Sequence, residues 1–416
     1  MSFVPMREVV RFAIGGGWGS ETAVDGSVLT RVIRGADFPE AAEQNLTNAP
    51  LRWEKDSKVK IRALAAGDIV LEISGGTKDR PTGRTVFVTQ KMVDESVSPI
   101  IPASFCRKVQ INREVADPKF VYYWLQLMHK SGRAWKHQNQ STGIANFQFE
   151  QFLDNEFLWL PSLKTQRAIS SVLGSLDDKI AANNHILGII DETIQSLWKR
   201  AVRARATCTR LDDVIEINPR TPLPKGTLAR KVEMKNLPEA GFSISEWEEH
   251  EAKGGSRYRN GDTLLARITP CFENGKCGFV DFLEADAVGA GSTEFIVMRP
   301  HPDIPPAAPY AVARSADFRA FAAQTMTGTS GRQRVQARDL EAYETVWPNG
   351  EQLSNFGSRT TPLLNFAGKL RDEAQVLAKT RNELLSLLMS GKITVREAGQ
   401  EAAAAGAPVP GEENEV

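Results

Sequence analysis

Two stretches of the chain carry apolar residues at alternating steps of four and three, and each follows a segment of short apolar runs broken by glycine and proline. The first, Ile169, Leu173, Leu176, Ile180, Asn183, Leu187, Ile190, Ile194 and Leu197, holds a heptad seam with one polar position at its centre. The second, Leu363, Phe366, Leu370, Glu373, Leu377, Thr380, Leu384 and Leu387, repeats the spacing and again has a polar residue in mid-seam. A strict 3.5-residue period over this length predicts two helices paired as a coiled coil; helices docked separately on their own domains would show a period of 3.6. Pro161 suits the start of the first helix. Thr361-Pro362 reads as an N-cap with proline at the first helical position of the second, and Gly391 as its stop.

The segments between the helices echo one another. Met6-Arg7-Glu8-Val9-Val10-Arg11-Phe12 is answered by Leu211-Asp212-Asp213-Val214-Ile215-Glu216-Ile217, and Gly67-Asp68-Ile69-Val70-Leu71 by Gly261-Asp262-Thr263-Leu264-Leu265. Ser141-Thr142-Gly143, followed by Gln148 and Trp159-Leu160-Pro161, returns as Thr329-Ser330-Gly331, followed by Gln336 and Val346-Trp347-Pro348. Strand-like runs such as 67–73 and 295–298, with a helical piece at 120–128, indicate mixed α/β domains. The expected fold class is α+β: two mixed α/β domains joined by two long antiparallel coiled-coil helices, with a pseudo-two-fold internal repeat. The expected boundaries are 1–160 and 208–348 for the domains, 161–207 and 349–396 for the helices, and 397–416 for a disordered acidic tail.

Connectivity favours the antiparallel arrangement, because the first helix leaves domain one for domain two and the second returns. A parallel pair, with both domains at one end, is not strictly forbidden. In an antiparallel pair the two central polar positions meet, so Asn183 is expected beside Glu373, donating its amide to the carboxylate; the alternative is that both turn outward to water. The first seam spans about 42 Å at 1.5 Å per residue, close to the ~34–36 Å repeat of B-DNA.

Each domain also carries two polar, glycine-containing loops. In the first domain they are 74–84 and 136–143; in the second, 267–276 and 327–334. Arginine and lysine pair with phosphates and guanine edges, glutamine and asparagine bridge adenine, and small polar residues bring backbone amides near phosphates. The candidate DNA-binding residues are therefore Lys78, Arg80, Arg84, Lys136, Gln138 and Asn139 in the first domain, and Arg267, Thr269, Asn274, Lys276, Arg332 and Arg334 in the second. Any single one of them also fits an ordinary solvated surface; recurrence at matching places is what favours function.

Composition narrows the classes. Hydrophobic content of 41% and charged content of 25% are those of a globular protein, and 51 basic against 51 acidic residues argue against a surface that coats nucleic acid all over. No apolar run reaches the length of a membrane span and no export signal opens the chain, so the expectation is a cytoplasmic protein without membrane association. Cys106, Cys208, Cys271 and Cys277 match neither a disulfide framework nor a zinc pattern, and no metal site is expected. Gly15-Gly16-Gly17-Trp18-Gly19 lacks the setting of a dinucleotide loop, and Gly391-Lys392-Ile393 lacks the Walker pattern. Asn218-Pro219-Arg220-Thr221 is incomplete as an amino-methyltransferase motif. Asp68 and Glu72 lack the lysine of a nuclease pair, Asp68 reading as turn chemistry. The histidines show no triad spacing, and His185 reads as a solvated flank of the first helix. No catalytic residues are expected.

With these residues assembled, the chain resembles the specificity (S) subunit of type I restriction-modification systems. The resemblance rests on Gln166-Arg167-Ala168-Ile169, then 176–184 and 192–199, for the central helical region. It rests further on 261–276 with Gly291-Ser292-Thr293-Glu294-Phe295, and on 72–77 with Thr82-Gly83-Arg84, for two target recognition domains. The segment 354–359 departs from the Gln-Arg-Ala-Ile type of start. The resemblance implies a non-catalytic subunit whose two target recognition domains each read one half of an asymmetric bipartite site in double-stranded DNA. The helices would set the spacer and dock two modification (methyltransferase) subunits, and restriction (helicase-nuclease) subunits would join them. It implies no cofactor bound by this chain, with S-adenosylmethionine, ATP and Mg belonging to the partner subunits. The alternatives are a type IIB-like specificity subunit and a coiled-coil scaffold that binds only protein.

Overall fold

The computed structural model describes residues 3–141, 144–204, 206–329 and 331–408. Thr142, Gly143 and Ser330 of the polar loops, and Glu412, Glu413 and Glu415 of the expected tail, lie outside the described residues. The Gly67-Asp68 turn delivers an aliphatic run into a sheet: Gly67 takes φ +91°, where a side chain is strained, and the Asp68 carboxylate accepts the Ala65 amide at 2.8 Å. The strand that follows, Ile69–Glu72, is buried throughout and lies in an antiparallel sheet ordered Val10–Gly15, Cys106–Ile111, Ile69–Glu72, Thr85–Phe87. A second sheet pairs Ser27–Ile33 antiparallel with Leu51–Lys55 and parallel with Ile100–Pro102.

The other Gly-Asp turn does the same. Gly261 takes φ +92°, the Asp262 carboxylate accepts the Arg259 amide at 2.8 Å, and Thr263–Ala266 enters a sheet ordered Ile215–Ile217, Phe295–Pro300, Thr263–Ala266, Cys277–Phe279. Its companion sheet pairs Leu228–Val232 antiparallel with Glu248–Glu251 and parallel with Gly289–Gly291. Each module closes with a ribbon of its first and last strands, Phe3–Pro5 on Phe157–Trp159 and Ala206–Arg210 on Glu344–Pro348. The sequence echo is thus a repeat of topology in the main sheet and the closing ribbon, while Arg257–Tyr258 adds a fourth strand to the second module's companion sheet.

Contacts divide the chain into two compact units, Met1–Ala181 with Val376–Val416 (unit 1) and Ala182–Gln375 (unit 2). Both dividing points fall inside long helices: α1, Leu163–Ala204 (42 residues), and α2, Gly350–Met389 (40 residues). The Ser162 hydroxyl caps α1 by accepting the Thr165 amide at 3.2 Å. Asn349 caps α2 in the same place after its tryptophan and proline, accepting the Gln352 amide at 3.0 Å while Gln352 reaches back to the Asn349 amide at 3.3 Å. The second helix therefore starts well before Thr361-Pro362, and Pro362 lies inside it. Its position is exposed, so the hydrogen bond its ring removes opens toward water. Gly391, at φ +67°, ends the helix as expected, its amide bonded to the Leu388 carbonyl at 3.1 Å.

Within unit 2 the helices run antiparallel: Asn183 meets Glu373, and further along α1 Trp198 packs edge-on against Phe356, nearer the start of α2. Asn183 is 1% exposed, and its side-chain amide donates to Glu373 Oε2 at 2.7 Å and to the Leu370 carbonyl at 3.3 Å. The pair is the one the heptad count places at mid-seam. Within unit 1, Arg381 donates to Asp177 at 2.8 Å, and Ile169, Leu173 and Leu176 share a core with Leu377, Leu384 and Leu388.

The seam is not that of an isolated coiled coil. Val172, Trp198 and Ala201 are buried outside the expected register, because each unit packs its α/β module on the helices as well. Tyr123 donates to Asp177 at 2.6 Å in unit 1, and Tyr310 to Asp191 at 2.7 Å in unit 2. The second covered face rotates the buried stripe of α2. Phe366 is 48% exposed while Leu364 and Ala367 are buried, and Leu387 is exposed while Leu385 and Leu388 are buried. Ile169, Leu173, Leu176, Leu370 and Leu377 are buried, and Ile180, Leu187 and Leu363 are half-buried. The expected disordered tail is corrected over its first part. Thr394 and Glu397 form a capping box for α3, Val395–Ala404, whose Ala398 and Ala402 reach the core of unit 1. Small residues spaced by four allow that close approach despite the polar composition.

Candidate nucleic-acid interface

In unit 1 the two polar loops meet. The first leaves the Ile69–Glu72 strand and turns at Thr77–Arg80; the second forms the hairpin Gln138–Ser141 with Ile144–Phe147. The Phe147 amide donates to the Ile73 carbonyl at 2.9 Å, and Ser74 bridges Asn146. Gln138 Oε1 accepts the Thr82 amide at 3.0 Å and its hydroxyl at 3.2 Å. Gly83, at φ +96°, lies where a Cβ would come within 2.8 Å of the Phe147 ring.

Unit 2 joins its loops in the same register. The Val335 amide donates to the Arg267 carbonyl at 2.8 Å, and Ile268 bridges Arg334. Thr269 is buried, and its hydroxyl accepts the Gln333 amide at 3.0 Å. One backbone framework therefore presents two different sets of side chains.

The charge wiring differs between the units. Glu72, 1% exposed, binds Arg84 at Nε (2.9 Å), while Arg84 Nη2 donates to the Gly35 carbonyl at 2.7 Å. Arg80 lies farther from Glu72, at 3.7 Å, and donates to the Gly75 carbonyl at 2.6 Å. In unit 2 Glu294 holds Arg334 at 2.9 Å and Arg267 at 3.0 Å. The hydrogen bond from Arg334 is the largest effect on the Glu294 carboxyl; burial opposes it, and the bond from Arg267 with the charges of both arginines keeps the group below the usual glutamate range. A carboxyl that titrates lower folded than unfolded stabilises fully above the unfolded value and loses that contribution as pH falls through the folded one. Arg334→Met should therefore move the Glu294 carboxyl back toward the ordinary range, read from its carbon chemical shift against pH.

The remaining candidates divide cleanly. Asn274 donates to Glu239 at 3.2 Å and Lys276 to the Met234 carbonyl at 3.0 Å. Lys78, Lys136, Asn139 and Arg332 are exposed, and among the described residues no side-chain partner holds them. The acids that orient the arginines, Glu72 and Glu294, are the residues a reading of the loops misses. Glu72 looks like an ordinary strand end, and Glu294 lies far along the chain from Arg267 and Arg334.

A repeated α/β framework with paired polar loops and two long helices has counterparts among known proteins. Residues 56–191 match the family described as Type I restriction modification DNA specificity domain. The chain is 29% identical over 149 residues, 36% of its length, to the type I restriction enzyme EcoAI specificity subunit of Escherichia coli. It is 27% identical over 148 residues to the EcoEI specificity subunit of the same organism. Each match spans a quarter of the relative's own length (25%). The crystal structure of a type I restriction-modification system S subunit from M. genitalium aligns with a TM-score of 0.54 at 12% identity, covering 93% of this chain and 95% of that one, which shows a shared fold. The sequence likeness to type I restriction-modification specificity subunits thus covers about a third of the chain, and the likeness of fold covers nearly all of it. No helix among the described residues is long and apolar enough to cross a membrane.

Proposed function

We propose that the chain is the non-catalytic, DNA-reading subunit of a type I restriction-modification complex. Residues 1–160 and 208–348 act as its two target recognition domains, and the helical segments 161–207 and 349–396 set the spacer and dock two modification subunits. The observation that carries this reading is the loop pairing repeated in one register, Phe147 on Ile73 and Val335 on Arg267, with different side chains on each copy. A repeated frame with unlike contacts suits an asymmetric, bipartite duplex site. Lys78, Lys136, Asn139 and Arg332 are the direct contacts, with Arg80, Arg267 and Arg334 held by their acids for base or phosphate contact. Arg84, Gln138, Thr269, Asn274 and Lys276 keep the loops in shape. S-adenosylmethionine is left to the modification subunits, and ATP and Mg to the restriction subunits.

The test is binding of the full chain with its modification subunit to duplex DNA across a salt series. A specificity subunit shows affinity falling steeply with salt, and Lys136→Ala reduces the slope by about one. Binding that ignores salt, or no binding at all, would leave the protein-only scaffold as the better reading. Inserting one heptad into both helices should lengthen the preferred spacer while leaving both half-sites unchanged, read by methylome sequencing; a single continuous palindrome would count against the bipartite reading.

A further inference from the structure

Both units build the same turn where their two loops meet. In unit 1 the amides of Ile73 and Ser74 donate to the Phe105 carbonyl at 2.9 and 3.3 Å, and the Cys106 amide closes the turn onto the Ala103 carbonyl at 2.8 Å. In unit 2 the Arg267 amide donates to the Glu294 carbonyl at 3.0 Å, and the Phe295 amide closes onto the Ser292 carbonyl at 3.3 Å. Each turn leads into the strand paired with the Gly-Asp strand, Glu72 opposite Cys106 and Ala266 opposite Phe295. Phe105 and Glu294 therefore hold one position of the repeated framework, beside the point where the first loop begins.

Their side chains are chemically opposite. Glu294 is 22% exposed and grips two arginines, whereas Phe105 leaves a phenyl ring 67% exposed. A single apolar residue on a surface is commonplace. Phe105 is set apart by its place: its carbonyl is bonded to the first residues of a recognition loop, and the other unit puts its arginine-holding acid at the same position. Leaving the ring in water forgoes its burial, with no return to the fold. An exposed ring at such a place suits the one apolar group in the major groove, the thymine methyl.

We propose that this turn position sets the difference between the two half-sites. Phe105 makes apolar contact with a thymine methyl in one half-site. Glu294 is a positioning residue for the other, holding Arg267 by Nε so that the terminal nitrogens, unbonded among the described residues, are available to a guanine edge. This rests on the DNA-reading function proposed above.

The test is selection from duplexes with a randomised central segment by the full chain assembled with its modification subunit, comparing the unsubstituted protein with Phe105→Ala, Phe105→Leu and Glu294→Gln. Phe105→Ala should lower the preference for thymine about ten-fold at one position of one half-site and leave the other half-site untouched. Phe105→Leu keeps an apolar contact and should retain most of that preference. Glu294→Gln should weaken guanine preference in the other half-site alone. The proposal is overturned if Phe105→Ala leaves every base preference unchanged or weakens all sequences equally. If the unsubstituted protein selects no sequence, the DNA-reading function itself fails, and this inference with it.

Discussion

Replacing Arg299 by methionine should destabilise unit 2 by about 3–5 kcal/mol, because it strands a buried carboxylate. Asp262 is 1% exposed and Arg299 8%; the guanidinium donates to both carboxylate oxygens, at 2.7 and 2.6 Å, and to Thr221 at 3.0 Å. Removing the arginine leaves the charge held only by the Arg259 amide. Asp262→Asn in the same chain should recover most of the loss, since an amide oxygen still accepts that turn hydrogen bond while no charge remains buried. In unit 1 the position of Arg299 is held by Gln110, which donates to Asp68 at 2.9 Å, and the carboxylate meets its charge instead in Lys108, two residues earlier, at 3.2 Å. Lys108→Met should accordingly cost less than Arg299→Met. Urea unfolding of the full chain, following the transition of each unit, measures both; equal losses would show that the extra donor contributes nothing.

Asn183→Leu should cost about 1–3 kcal/mol, the penalty for removing one partner of a buried polar pair. Adding Glu373→Leu should return much of that stability, because two leucines pack in a seam that two polar groups otherwise interrupt. Stability is not what the pair contributes best. A single polar contact in an apolar seam penalises every shifted pairing of the helices, so the double variant should melt normally and, with the helices setting the spacer as proposed above, accept a wider range of spacer lengths. Thermal unfolding together with methylome sequencing separates the two effects. A double variant that melts far below the native protein would mean that the pair stabilises the fold outright.

The sequence made regular features legible and left pairwise ones dark. The heptads, the Gly-Asp strand entries and the Gly391 stop follow from local rules, and the Asn183–Glu373 register follows from counting. The exposure of Phe366 and burial of Ala367 do not, because the seam pattern assumes one covered face and α2 has two. The true start of α2 was marked by Asn349 and Gln352, but Thr361-Pro362 carries the stronger local signal. Among the loop residues, type alone cannot separate an arginine held by a buried acid from one facing water: Arg84 and Arg332 look alike in sequence, and only Glu72, brought in by the fold, tells them apart. The matched positions of Phe105 and Glu294 share no residue type, so only the hydrogen bonds of the turn reveal them.

The two points where the chain divides into units have a bearing on synthesis. Unit 2 is a single continuous stretch, Ala182–Gln375, inserted into unit 1, whose core draws Leu377, Leu384, Leu388, Ala398 and Ala402 from beyond it. On a ribosome, where domains fold as their residues emerge, the unit begun first is the last to close. Until the late residues arrive, Ile169, Leu173 and Leu176 wait with one side uncovered, while the inserted unit already has every residue it needs.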